Sequence, residues 1–158
     1  MALDTTETRH ARLEAILDAH AGREGPLLPI LHDVQAAFGC VPAETIPRIA
    51  DRLNLTRAEV HGVVSFYHDF RDEPAGRVVV KICRAEACKA VGSDALAAAA
   101  EARTGVKMGE TAASGAVTLE PVYCLGLCAC GPAAMVDGEI LGRMDAARLD
   151  AALTERGA

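Results

Sequence analysis

Four cysteines stand in two pairs, Cys83 with Cys88 as C-x4-C and Cys124 with Cys128 as C-x3-C. The stretch between the pairs is long enough for one helix and one strand. Thiolates placed like this on two separate loops can grip one inorganic group between them. The second half of the chain must therefore bring two loops to one place, and neighbouring strand ends would supply them.

The apolar period supports that reading. Residues 7–70 are helical in pattern, with Leu13, Ile16, Leu17 and His20 recurring at helical spacing before a break at Gly25-Pro26. Leu27, Leu28, Ile30, Leu31, Val34 and Phe38 form one broad face that stops at Gly39. Ile46, Ile49, Ala50 and Leu53 make a third stripe. Thr56 and Glu59 then form a capping box ahead of Val60, Val63, Val64 and Tyr67. The segment Asp72-Glu73-Pro74-Ala75-Gly76 reads as a linker, and beyond it the period changes. Arg77 to Cys83 (RVVVKIC) is β-branched and strand-like. Glu86 to Thr104 is Ala-rich and helical, bent near Gly92-Ser93 and closed by Gly105. Val117 to Tyr123 is a second strand, and Pro121 within it suggests an edge or irregular position. Ala133 to Val136, the turn Asp137-Gly138 and Glu139 to Leu141 form a hairpin. Asp145 to Arg156 close the chain as a helix with Leu149, Ala152 and Leu153 inward. The expectation is an α+β chain: a helical bundle over residues 1–75, then a thioredoxin-like layer over residues 76–158.

Composition narrows the function. The chain is 51% hydrophobic but 3% aromatic, so its core has to be built from Ala, Val, Leu and Ile. The net charge is −6, with 7 Lys+Arg against 12 Asp+Glu in residues 1–75 and 9 against 10 in residues 76–158. No basic stripe exists for a phosphate backbone to follow, which argues against nucleic-acid binding. The N-terminus, MALDTTETRHARLEA, has no apolar signal-peptide core. The most apolar stretch, Gly115 to Val136, is interrupted by Glu120, Pro121, Gly126, Gly131 and Pro132, which suits strands and loops and not a membrane span. A soluble, cytoplasmic chain is expected, a setting in which structural disulfides are rare.

Six cysteines in such a chain favour metal or redox chemistry. Cys83 and Cys124 each end a strand, Cys88 falls in the first turn of a helix, and Gly126 and Gly131 let backbone pass close to sulfur. A four-thiolate iron–sulfur centre is anionic, and the helix start at Cys88 with Arg84 and Lys89 would favour that charge. Structural zinc is the rival reading, although zinc loops usually use C-x2-C. A dithiol oxidoreductase needs C-x-x-C, which is absent. Cys130 reads as a small residue packed beside the centre, and Cys40 as a buried small hydrophobe. His61 and His68 lie seven apart on the fourth helix, with His68 beside Phe66, Tyr67 and Phe70, a set that suits core or a docking surface. No Ser/His/Asp order, phosphate loop or carboxylate pair stands out, so no catalytic residue is assigned.

Leu28-Pro29, Gln35, Gly39, Val41-Pro42, Ile49-Ala50, Leu53, Val60, Val63, Ser65-Phe66-Tyr67, the C-x4-C pair and Cys124-Leu125-Gly126-x-Cys128 together resemble the 24-kilodalton 2Fe-2S subunit family of NADH:quinone oxidoreductase. The resemblance runs from about Leu27 to the last helix. It implies a thioredoxin-like 2Fe-2S ferredoxin domain behind a helical docking domain, one 2Fe-2S cluster on Cys83, Cys88, Cys124 and Cys128, and a larger partner subunit carrying FMN and the NAD site. Cys130 departs from the family's usual pattern. The strings Phe66-Tyr67-His68-Asp69-Phe70-Arg71 and Cys83-Arg84-Ala85-Glu86-Ala87-Cys88 look most like the gamma subunit of soluble, molybdenum-dependent NAD formate dehydrogenases, which implies a further iron–sulfur or molybdenum subunit. The equivalent subunits of respiratory complex I and of NAD-reducing hydrogenases are the alternatives.

Overall fold

The computed structural model describes residues 6–158. The start of the polar N-terminal stretch, residues 1–5, lies outside the described residues. Two compact units divide the chain, Met1–Pro74 and Ala75–Ala158.

The first unit is built from α1 (Thr6–Ala19), α2 (Leu27–Phe38), α3 (Ile46–Leu53) and α4 (Arg57–Phe66), with a short 3-10 turn at Ala43–Thr45. Each helix contributes an aliphatic stripe to one core: Leu13 and Leu17, then Ile30, Leu31 and Val34, then Ile49 and Ala50, then Val60 and Val64. The stops are chemical. Gly39 takes φ 80° and its amide returns to the Gln35 carbonyl at 2.7 Å, a left-handed cap that favours glycine. Thr56 and Glu59 form the expected reciprocal capping box. On the surface Arg52 bridges Glu14 and Asp18, and Arg48 also reaches Glu14. Such exposed pairs fix the seating of α3 on α1 more than they stabilise it.

The fourth helix ends earlier than its stripe suggests. Tyr67 is already extended, at φ −89° and ψ 110°, so His68 lies beyond the helix that carries His61. The Gln35 side chain holds this segment, donating to the Asp69 carbonyl at 2.6 Å and accepting from the Arg71 amide at 2.8 Å. Phe70 is thereby drawn into the core, 8% exposed, while Phe66 and Tyr67 stay outside at 72% and 43%. The aromatic set is therefore split between core and surface.

The second unit runs β1 (Val78–Cys83), α5 (Glu86–Ala90), α6 (Ser93–Thr104), β2 (Val117–Val122), β3 (Ala134–Val136), β4 (Glu139–Leu141) and α7 (Ala146–Glu155). Its sheet has the order β2-β1-β3-β4. β1 and β2 are parallel, in register from Val78 opposite Val117 to Cys83 opposite Val122; β3 and β4 add antiparallel partners. Val78, Val80, Ile82, Val117 and Leu119 bury one face of the sheet with Leu96, Ala97 and Ala100 of α6 and Leu149, Ala152 and Leu153 of α7. The β3–β4 turn uses Asp137 at φ 48° and Gly138 at φ 86°, the paired left-handed residues of a tight hairpin.

β2 lies at the sheet edge, as Pro121 suggested. Residues 109–112 run beside its first half. Gly109 donates to the Leu119 carbonyl at 2.7 Å, Leu119 to the Glu110 carbonyl at 3.0 Å, and Ala112 to the Val117 carbonyl at 2.8 Å. Among the described residues, no helix is long and apolar enough to cross a membrane.

Candidate metal centre

Parallel pairing sends β1 and β2 out of the same end of the sheet, the end where open α/β sheets place their ligands. Cys83 is the last residue of β1, 1% exposed, and Cys88, in α5, is 2% exposed. Cys124 lies just beyond β2, with φ 85°, a conformation that turns the chain sharply back. Cys128 opens the 3-10 turn Cys128–Cys130, and both Cys124 and Cys128 are exposed.

All six cysteines are free thiols. The sulfurs of Cys124 and Cys128 stand 3.7 Å apart. That is far beyond a disulfide's roughly 2.05 Å and close to the roughly 3.8 Å edge of a tetrahedron with thiolate bonds near 2.3 Å. Cys83 and Cys88 are within side-chain hydrogen-bond reach of each other, and Cys128 feels the charge of Cys83. Among the described residues, no three Cys, His, Asp or Glu side chains surround one point as they would a single ion. The sulfurs form two neighbouring pairs. Such an arrangement fits a binuclear cluster in which each iron takes two protein sulfurs.

The backbone is aimed at the sulfurs. Burial pushes the Cys83 thiol up, but the Ala85 amide, the Cys88 side chain and the Cys124 and Leu125 amides together outweigh it, and the net shift is downward. Burial dominates at Cys88 and raises it; the Ala133 amide works in the other direction, while Cys83 and Cys128 add to the rise. Cys128 is raised first by its hydrogen bond and charge interaction with Cys124. Cys88 and Cys128 are thus each made harder to ionise in part by a neighbouring sulfur, a penalty that a bound cation would relieve.

The two glycines act differently. A Cβ on Gly131 would sit 3.4 Å from the Cys88 sulfur and 2.8 Å from Val91 Cγ2, so this position is a close approach. Gly126 faces open space; it is needed for its φ of 81°, and its amide donates to the Cys124 sulfur at 3.4 Å. Cys130 is engaged through its backbone, its amide on the Leu127 carbonyl at 2.9 Å and its carbonyl taking the Arg143 amide at 2.6 Å. Cys40 lies in the first unit, buried, with its thiol raised by burial and then by Glu44.

One electrostatic expectation changes. Arg84 is ion-paired to Asp94 at 2.7 Å, and α5 spans five residues, too short for much of a helix dipole. The amides of Ala85, Cys124 and Leu125 reach the Cys83 sulfur directly, whereas the Arg84 side chain is engaged with Asp94. The sequence reading also missed Ser93, whose buried hydroxyl donates to the Cys83 carbonyl; a serine beside Gly92 had signalled only a bend.

The chain belongs to the thioredoxin-like 2Fe-2S ferredoxin family, whose profile matches residues 13–156. It is 35% identical to an NADH-quinone oxidoreductase subunit of Rhizobium meliloti (strain 1021), over 92% of this chain and 87% of that protein. It is 31% identical to the NADP-reducing hydrogenase subunit HndA of Solidesulfovibrio fructosivorans, over 84% of this chain and 78% of that protein. Among solved structures, an NAD+-reducing NiFe-hydrogenase in the air-oxidized state superposes with a TM-score of 0.72 at 26% identity, covering 84% of this chain and 23% of that one.

Proposed function

We propose that this chain is the electron-transfer subunit of a multisubunit NAD-linked oxidoreductase, holding one 2Fe-2S cluster on Cys83, Cys88, Cys124 and Cys128. The observation that carries this reading is the meeting of two free thiol pairs at the carboxyl ends of the parallel strands β1 and β2. Relatives named as subunits of NADH-quinone oxidoreductase and of hydrogenases support the class of complex. The partner we infer is a subunit carrying FMN and the NAD site.

When bound, the cluster supplies a one-electron relay, complementary to a flavin that exchanges hydride with NAD. The chain's own residues do the rest. Cys83 and Cys88 anchor the buried side, Cys124 and Cys128 form the exposed side, and the amides of Ala85, Leu125, Gly126 and Ala133 offset thiolate charge. Exposed Tyr123, beside Cys124, and Val91, against Gly131, give the exposed rim an apolar contact surface. In this reading residues 1–75 dock, with Phe66 and Tyr67 as contacts, and residues 76–158 carry the electron.

Among the possible complexes we favour an NAD-dependent formate dehydrogenase, on the strings from Phe66 to Arg71 and from Cys83 to Cys88. The test is purification of the chain with its native partners and identification of them by mass spectrometry. Formate-dependent NAD reduction by that assembly is expected; quinone or hydrogen chemistry without it would reassign the complex. The cluster is tested separately. About two iron and two sulfide per chain are expected, with Ser substitution at Cys83, Cys88, Cys124 or Cys128 destroying or strongly perturbing the spectrum. Cys40→Ala and Cys130→Ala should leave it nearly unchanged. A Cys130 variant that loses the cluster while a Cys128 variant keeps it overturns the ligand assignment.

A further inference from the structure

The peptide that leaves β1 is held on both of its polar atoms. Its N–H, on Arg84, donates to the Val122 carbonyl of β2 at 2.8 Å. Its C=O, on Cys83, accepts the hydroxyl of Ser93, the first residue of α6. Ser93 is fully buried. The next amide along the chain, that of Ala85, donates to the Cys83 sulfur. The Ala85 amide belongs to the following peptide, so its approach to the Cys83 sulfur depends on where the anchored Cys83–Arg84 peptide sets the Arg84 Cα.

We propose that Ser93 is a positioning residue for the metal centre: its hydroxyl anchors the Cys83 carbonyl, so that the chain leaves β1 on the course that puts the Ala85 amide on the Cys83 sulfur. This rests on Cys83 being a ligand, as proposed above. A buried carbonyl deprived of its donor is costly, so without the hydroxyl the segment from Cys83 to Ala85 shifts toward another partner and the amide cradle loosens. Amide hydrogen bonds to ligating sulfur favour the more negative, reduced state of a cluster. Losing one moves the midpoint potential downward. The neighbouring Asp94 provides a control, because it holds the Arg84 side chain through an exposed carboxylate and does not touch the peptide plane.

The experiment uses the full chain carrying its cluster, with Ser93→Ala, Ser93→Thr, Ser93→Cys, Asp94→Asn and Cys83→Ala. Midpoint potential is read by an EPR-monitored redox titration, and cluster retention by iron release to a chelator. Ser93→Ala is expected to titrate at a more negative potential and to release iron on the order of tenfold faster. Ser93→Thr, which keeps the hydroxyl, should restore both, and Asp94→Asn should leave the potential in place. Lowered thermal stability in Ser93→Ala with the parental potential would mean a merely structural role and overturns the inference. Should Ser93→Ala not fold, the Thr and Cys variants decide: a parental value in Thr with a lowered one in Cys, a weaker donor, supports it, and equal potentials overturn it. Cys83→Ala separates the two levels. If it keeps the cluster, the ligand assignment fails and this inference with it; if it loses the cluster while Ser93→Ala keeps the parental potential, only the role of Ser93 fails.

Discussion

Two glycines, both outside the left-handed region, should respond to the same substitution with opposite signs. A Cβ on Gly76 would meet the main chain of Val117, with its carbonyl carbon at 2.8 Å, its nitrogen at 2.9 Å and its Cα at 3.0 Å. The Gly76 amide is also fixed, donating to Thr118 Oγ1 at 2.7 Å. No flexible side chain can give way, because the obstacle is the backbone of a paired strand. Overpacking of this kind costs about 1–3 kcal/mol, and rigid neighbours place Gly76→Ala near the top of that range. For a domain of this size that is a fall of about 10–20 °C in Tm. Gly62, in the middle of α4, is exposed and has nothing within 4 Å of its added Cβ. There alanine gains about 0.5–1 kcal/mol by reducing the freedom of the unfolded chain. Both variants can be followed by far-UV circular dichroism, and Gly76→Ala also by loss of cluster absorbance on heating. Because Gly76 precedes β1 and Cys83 ends it, the spectrum of the folded variant should match the parent. Gly76→Ala within about 0.5 kcal/mol of the parent, the range of an ordinary surface change, would refute the register of β1 on β2.

Thr56→Ala should cost about 1 kcal/mol by opening the capping box. The Thr56 amide and then its hydroxyl hold the Glu59 carboxyl below the usual range, so its contribution is present above the ordinary carboxylate pKa and lost as pH falls through the lowered one. Glu59→Gln should therefore flatten that part of the acid limb in a pH series of unfolding curves; an unchanged limb counts against the geometry. Phe66, 72% exposed, should tolerate Ser with little change in stability or cluster spectrum but weaken association with the proposed flavin-bearing partner in size-exclusion or calorimetric binding. Parental affinity would remove Phe66 from the docking face.

What could be read from the sequence was local in origin. Thr56 with Glu59, Gly39, Gly105 and Asp137-Gly138 act on backbone within a few positions, and each is where its chemistry demands. The strands that lead into Cys83 and Cys124 were legible in the same way, from the β-branched run before Cys83 and the apolar run from Val117. Long-range contacts set what was missed. The end of α4 depends on Gln35, more than thirty positions away from the Asp69 and Arg71 groups it binds. Arg84 looked like a free cation because nothing nearby in the sequence marks Asp94 as its partner. The amides that serve Cys83 include Cys124 and Leu125 from the other loop, and no spacing rule announces which amides will point at a sulfur.

The guarded margin of β2 bears on how this chain behaves when crowded or newly made. An unpaired outer strand invites another chain to add to it and so seed fibrous growth. Here residues 109–112 already occupy the outward groups of Val117 and Leu119. Farther along, Pro121 has no N–H to offer an incoming strand. At the opposite margin β4 is three residues long, too short to template much. In the proposed assembly, a chain waiting for its cluster and its partner would therefore present little from which polymers could start.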